Sequence, residues 1–372
     1  MEIENVSKIF TLGDLHLGAR NNSMVWKDDM IDFLDKFMEN LPNHGFNAET
    51  DILMLPGDIF HSREFLNVMI GNAAMNVFER LTSIFKRGVF VILGNHDVYM
   101  KYNTDVHTLK FFEKSYANFH VFTKPEVFSI NGKHKFLMLP WNDDGEELAK
   151  SINENRDCDY LFCHMDINGF KYNKAIRVDK GILREDLLSF KRVYAGHLHH
   201  RQASGNILYL GTPYQFDSGD MGTERGYYAL NVIDDMIHEE YFPNEWSPKF
   251  ELIEFDELME MTFEEAAVKL NRNYVAVVIP NSSARNFSLN SFMEAMSQND
   301  IKPRKIEFKP YDDAYDIEEA TFDATSDFNL ATAAKIILEE KKYSHAESAS
   351  ILSYFNELHT AARNNDKETY RQ

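Results

Sequence analysis

The chain has 372 residues, 44% hydrophobic and 26% charged, which excludes a disordered or fibrous protein and suggests two or three domains. Against 59 Asp and Glu stand 39 Lys and Arg, a formal net charge of −20, so bulk charge does not hold it to nucleic acid or to an anionic membrane. A protein this acidic that handles DNA needs a local positive surface, bound metal ions or a basic partner. Apolar runs such as VFVIL at 89–93 fall far short of the ~20 residues of a membrane span. The first ten residues carry Glu2 and Glu4 and no apolar core, so no secretory signal is expected and the expected location is the cytoplasm. Cys158 and Cys163 read as reduced thiols in or beside an apolar strand.

In chain order, apolar runs at 6–12, 51–56, 88–93, 119–122, 134–139, 158–163 and 192–195 predict short strands. Between the first two, Met30, Leu34, Phe37, Met38 and Leu41 recur at helical spacing. Val68, Ala73, Val77, Leu81, Ile84 and Phe85 do the same before the third. Strands alternating with such helices imply βαβ units and a mostly parallel or mixed sheet covered by helices. After residue 205 the runs ILYLG, RGYYALNVI and MIHEEYF follow one another as strands without helices, and are expected to form a second sheet packed on the first. The fold class expected is a layered α/β sandwich, a first domain over 1–245. A small α+β module follows over 250–310, with strands at 274–279 and 301–308 around a helix at 286–297. Residues 311–327 hold seven acids and no Lys or Arg, a self-repelling linker, and 328–364 reads as helical. Ile351, Phe355, Leu358 and Ala362 line one face of the second helix, either to dock a partner or to pack on the home domain.

Five segments concentrate His, Asp and Asn at the ends of predicted strands: GDLHLG (13–18), GDIFHSR (57–63), GNHD (94–97), CHMD (163–166) and GHLHH (196–200). The carboxyl ends of strands in an α/β sheet are where loops converge, so these groups can share one site. Glycine ahead of each polar group in four of them allows a sharp turn and close backbone approach. Asp14 and His16 lie two apart, Asp58 offers two carboxylate oxygens to bridge cations, Asn95 offers a carbonyl, and His164, His197 and His199 offer imidazole nitrogens. This nitrogen and oxygen set without thiolate suits Mn, Fe, Zn or Co and is poor for Ca. Two such cations about 3.5–4 Å apart clamp a phosphate and activate a water.

The series D-x-H, GD, GNHD, H and GHxH resembles the calcineurin-like metallophosphoesterase superfamily. GDIFHSR, and GTPYQFDSGD with RGYY at 211–228, are similar to segments of SbcD-type DNA repair and recombination nuclease subunits, closest to the recombination endonuclease subunits of tailed phages. The resemblance covers residues 7–230. It implies a layered sandwich of two mixed sheets with a small capping, DNA-holding domain and C-terminal helices. It implies two Mn²⁺ ions, with Mg²⁺ or another divalent cation as substitutes. Asp14, His16, Asp58 and His199 would hold one, and Asp58, Asn95, His164 and His197 the other. His96 would face the scissile phosphate, Asp97 would orient His96, and His61 would guide the strand for exonuclease action. Partners implied are DNA, an SbcC-type SMC-like coiled-coil ATPase docked on the C-terminal helices, and a second copy of the chain through helices such as 64–86. Arg63, Arg201 and Arg225 are candidate phosphate contacts, as is the basic strand with Lys302, Arg304, Lys305 and Lys309; His107 and His200 read as surface residues. A phosphomonoesterase or protein phosphatase of the same superfamily, or a mainly structural clamp that tethers DNA ends, remain as alternatives.

Overall fold

A computed structural model describes residues 1–100, 103–173, 176–284 and 287–311. Apart from its first residue, the acidic stretch 311–327 lies outside the described residues, and so does all of 328–364. The strands in chain order are β1 (Glu2–Ile3), β2 (Lys8–Thr11), β3 (Asp51–Leu55), β4 (Val89–Ile92), β5 (Val98–Met100), β6 (Asn103–His107), β7 (Phe119–Phe122), β8 (Glu126–Ile130) and β9 (His134–Leu139). They continue as β10 (Tyr160–His164), β11 (Arg192–Gly196), β12 (Gln202–Ser204), β13 (Ile207–Tyr209), β14 (Gly226–Ile233), β15 (Met236–Pro243), β16 (Phe250–Glu254), β17 (Tyr274–Pro280) and β18 (Lys305–Tyr311).

Two large sheets face each other. One runs β15-β14-β2-β3-β4-β7, with β2, β3, β4 and β7 parallel and β14 antiparallel to β2. The other runs β1-β8-β9-β10-β11-β13-β12, parallel from β9 to β13. Successive side chains of a strand point to opposite faces, and here both faces are apolar. Ile9, Ile52, Met54, Phe90 and Ile92 meet Phe136, Met138, Tyr160, Phe162 and Tyr194 between the sheets. Their neighbours Phe10, Leu53, Leu55, Val89 and Val91 pack outward on Phe33, Phe37, Phe78 and Leu81 of two helices, Met24–Asn40 and Val68–Ile84. On the other side Leu137, Leu161, Cys163 and Val193 pack on Leu148 and Ile152 of the Gly145–Glu154 helix. Burial on both faces is why these strands read as continuous apolar runs. Both cysteines are free and buried.

The layered mixed α/β sandwich is as expected, but its second sheet is built differently. Only β12 and β13 of the later strands join it, whereas the β14–β15 hairpin returns to the first sheet beside β2, pairing Tyr228 with Thr11 and Asn231 with Lys8. The second sheet instead takes in β9, β10 and β11 together with β1 and β8, two strands absent from the expected series.

Residues 250–311 carry a separate parallel sheet, β16-β17-β18, around its own core of Ile253, Leu258, Leu270, Val275, Val277, Met296 and Ile301. It sits against the Met24–Asn40 helix. Tyr274 donates to Asp29 (2.6 Å), Arg304 pairs with the same carboxylate (2.7 Å), and Arg272 pairs with Asp32 (2.5 Å). Lys302 pairs with Asp300 and Lys305 with Glu307. Lys302, Arg304 and Lys305 thus each lie beside a local acid. Among the described residues no helix is long and apolar enough to cross a membrane.

Candidate metal centre

Every proposed ligand lies at or just past the carboxyl end of a parallel strand, and both sheets contribute. Asp14 and His16 follow β2, Asp58 follows β3, Asn95 follows β4, His164 closes β10, and His197 and His199 follow β11. The loops after β2 and β3 run side by side, with His16 N–H donating to Asp58 O (2.8 Å) and His61 N–H to Leu17 O (2.9 Å). Two glycines make this approach possible. A Cβ on Gly94 would run into the Asp58 carboxylate and backbone amide, and one on Gly57 (φ 103°) into the His164 ring. His16, Asp58 and His197 adopt left-handed backbone, at φ 48°, 52° and 89°. Such conformations cost about 1–3 kcal/mol each and persist where the surroundings impose them, as at functional sites.

Asp58 is the hub. Its Oδ1 accepts the His96 amide at 2.8 Å, and its Oδ2 lies 3.5 Å from His16 Nε2 and 3.3 Å from His164 Nε2. On one side His16 Nε2 meets His199 Nε2 at 3.1 Å. On the other, Asn95 Oδ1 lies 3.0 Å from His164 Nε2 and 2.9 Å from His197 Nδ1. Asp14 Oδ1 accepts the His197 amide at 2.9 Å, while its Oδ2 is buried without a hydrogen-bond partner. His96 Nδ1 is held at 2.6 Å by the His61 carbonyl, and the His61 and His96 rings stack at 5.3 Å. All seven proposed ligands, His61 and His96 thus converge.

The electrostatics suit cations. Burial pushes His16 well below its usual range and His199 down to about 4, leaving neutral imidazoles with free lone pairs. Burial raises Asp14 to about 6. Burial also works to raise Asp58, but His164, His16 and His96 overcome it and hold that carboxylate well below its normal value. For His164 burial is in turn outweighed by Asp58 and Asp14, which keep it up at about 9. An orphaned carboxylate oxygen, two imidazole nitrogens face to face and two buried Asp side chains, Asp14 and Asp58, form a donor set that fits divalent metal.

The calcineurin-like phosphoesterase family matches residues 7–212, more than half of the chain. The chain belongs to that family. Exonuclease subunit 1 of Enterobacteria phage T4 is 25% identical over 241 residues, covering 64% of this chain and 68% of that protein. A solved structure, 5'-nucleotidase precursor from Thermus thermophilus, aligns at 14% identity and TM-score 0.34, over 64% of this chain and 54% of that one. The chain therefore spans about half the length of that nucleotidase chain.

Around this phosphoesterase centre several residues depart from their expected roles. Asp97 is expected to orient the His96 ring. Its carboxylate instead accepts backbone amides, Ile59 (3.0 Å) and Phe60 (3.3 Å) on one oxygen and Gly94 (3.0 Å) on the other, and so ties the β3 and β4 loops together. Burial raises it to about 7, with Asp58 adding to the effect. The His61 carbonyl takes the orienting place. Arg201 stacks on Tyr241 at 4.0 Å and pairs with Glu224. His200 is half-buried beside Asp220 (3.2 Å), and His107 is buried at the end of β6, where loss of hydration lowers it to about 4.

Arg225 is buried away from any phosphate. It is 4% exposed, pairs with the Asp220 carboxylate, and donates to the His199 carbonyl and to Thr212 Oγ1. Asp220 also accepts the Phe216 amide (2.6 Å). The Phe216 ring covers His16 and His199, each at 5.2 Å between centroids. The GTPYQFDSGD segment thus fixes an aromatic cover over one half of the centre. Replacing Arg225 with Ala breaks a buried ion pair and leaves Asp220 only His200 and backbone amides as partners, a loss of up to about 3–5 kcal/mol in unfolding free energy. Urea denaturation measures it, and a midpoint equal to wild type would show that the pair is dispensable.

Proposed function

We propose that the chain is a metal-dependent DNA nuclease subunit that hydrolyses phosphodiester bonds during end processing, repair and recombination. The observation that carries this reading is the convergence of six Asp, Asn and His side chains around Asp58, with His96 beside them. The DNA substrate and the partner subunit rest on the similarity to a phage exonuclease subunit. Asp14, His16, Asp58 and His199 would hold one Mn²⁺, and Asp58, Asn95, His164 and His197 a second. Bound divalent cations would activate the attacking water and offset charge on the phosphate.

The chain's own residues do the rest. With His96 Nδ1 held by the His61 carbonyl, Nε2 is the nitrogen left for the phosphate. As water oxygen bonds to phosphorus and the P–O3′ bond breaks, His96 in its imidazolium form would donate its Nε2 proton to the leaving 3′ oxygen, and the proton shed by the attacking water passes to solvent. His61, stacked on His96, would guide the strand, and the 250–311 module would cap the cleft. An SMC-like ATPase would dock on the 328–364 segment and supply the positive surface that a chain of charge −20 lacks.

The test is cleavage of end-labelled linear duplex DNA in Mn²⁺, with and without EDTA, beside p-nitrophenyl phosphate. Chelator-sensitive DNA degradation with little monoester turnover is expected. Monoester turnover without DNA cleavage would move the protein to the phosphatases of the family. Metal uptake without either reaction, in the presence of the ATPase partner, would favour an end-tethering clamp.

The homodimer is proposed through an apolar face that is open to solvent. Phe65, Val68 and Met69 are exposed at the start of the Val68–Ile84 helix, with Met75 further along it. Phe111 of the adjoining Lys110–Ser115 helix is exposed too, and Tyr116 ties the two helices by donating to Met75 O. Light scattering on the wild type should give twice the chain mass, and V68D with F111D should give the monomer. A wild type that stays monomeric at high concentration would remove this interface.

A further inference from the structure

We infer that Asp166 and Tyr172 form a positioning pair that sets which nitrogen of His197 is offered to a metal; this rests on the metal-centre reading above. His197 presents its two ring nitrogens to different partners. Nδ1 lies 2.9 Å from Asn95 Oδ1, on the side where the ligands converge. Nε2 lies 3.2 Å from Asp166 Oδ1, on the other side. Both facing oxygens accept, but the charged carboxylate is the stronger acceptor, so the imidazole proton sits on Nε2 and the Nδ1 lone pair, beside Asn95 Oδ1, is the one offered to a cation. The same Asp166 oxygen accepts the Tyr172 hydroxyl at 2.6 Å. Two donors on one oxygen keep the carboxylate from swinging into the centre, where it would compete as a ligand.

The backbone around the pair is built to hold this geometry. The Tyr209 hydroxyl, buried beneath the loop, donates to Met165 O (2.8 Å) and accepts from Ile167 N–H (2.9 Å), pinning the chain on both sides of Asp166. The Asp166 carbonyl accepts Ile182 N–H at 3.0 Å, and Gly181 (φ 100°) lies so close that a Cβ there would run into it. Lys171, ahead of Tyr172, exchanges hydrogen bonds with the Gln202 side chain in both directions. The His197 ring is set between Trp141 (5.1 Å) and Tyr172 (6.2 Å). CHMD at 163–166 therefore carries two functions: His164 is a proposed ligand, and Asp166 orients a ligand from another strand.

The experiment uses the full chain, metal-free and then titrated with Mn²⁺. Ring ¹⁵N shifts of His197 report the tautomer, calorimetric titration reports affinity, and melting temperature controls for folding. Wild type is expected in the Nε2–H form. Asp166→Ala should populate the Nδ1–H form and bind Mn²⁺ about 10–100-fold more weakly with little change in melting temperature. Asp166→Asn keeps an acceptor oxygen and should restore the tautomer and most of the affinity. Tyr172→Phe should keep the tautomer and weaken binding several-fold, which tests the pair even if Asp166→Ala fails to fold. Wild-type His197 protonated on Nδ1, or Mn²⁺ affinities equal across all variants, would overturn the pair alone. A wild type that takes up no Mn²⁺ would overturn the metal centre with it.

Discussion

Replacing His96 with Asn is expected to lower DNA hydrolysis by about 10²–10⁴-fold while leaving Mn²⁺ affinity and melting temperature at wild-type values. The split follows from what each part of the residue does. Its backbone amide, bound to Asp58 Oδ1 at 2.8 Å, supports the ligand cluster and survives the substitution. Its ring makes no hydrogen bond to the cluster and acts on Asp58 only through its charge: Nδ1 is taken by the His61 carbonyl, and the ring packs on His61 and His16. Asn fills part of that space and remains polar, but it cannot give a proton to a leaving oxygen. Single-turnover cleavage of duplex DNA with saturating Mn²⁺, beside a calorimetric Mn²⁺ titration, reads the two effects separately. The geometry also offers a rival, because His16, His61 and His96 place nitrogens within 4.8 Å of one another and form a triad capable of holding a cation. If His96→Asn weakens metal binding in step with cleavage, the residue is a ligand and the acid role is lost.

The sequence carried the sandwich wherever structure is local. The helical stripe Met30, Leu34, Phe37 is buried in the Met24–Asn40 helix, and each apolar run up to β11 became a strand. The site was legible for a related reason: a strand end followed by Gly and a polar residue is a local pattern, and a layered sheet brings all such ends to one edge. What failed was non-local. Nothing in RGYYALNVI states that Tyr228 pairs with Thr11, 217 positions earlier, because a mostly apolar strand fits either sheet. Arg225 and Asp97 failed likewise. Each is read from its neighbours in sequence, whereas their partners Asp220, His199, Ile59 and Phe60 are set by loop closure. A signal for Arg225 was available in the five-residue step from Asp220, an acid and a base flanking one turn. His107 had none, since its burial depends on the packing of a hairpin whose strands are three and five residues long.

Asp58→Asn is the substitution expected to do most damage to function with least damage to the fold. Asn adopts left-handed backbone as readily as Asp, so the φ of 52° at this position is kept and only the charge is removed. That charge is where the two halves of the centre meet, His16 on one side and His164 on the other. An amide offers one oxygen where the carboxylate offers two, and it would no longer offset the charge of the proposed dications. Cleavage should fall below detection. The sharper measurement is thermal unfolding with and without Mn²⁺. A ligand at about 100 times its Kd stabilises the folded state by about 2.7 kcal/mol, a rise of several degrees for a domain of this size. The wild type should show that rise and lose it in EDTA, and Asp58→Asn should melt at one temperature in both. If the variant still gains stability from Mn²⁺ as the wild type does, the cation is held elsewhere, and the hub assigned to Asp58 is only a hydrogen-bonded loop carboxylate.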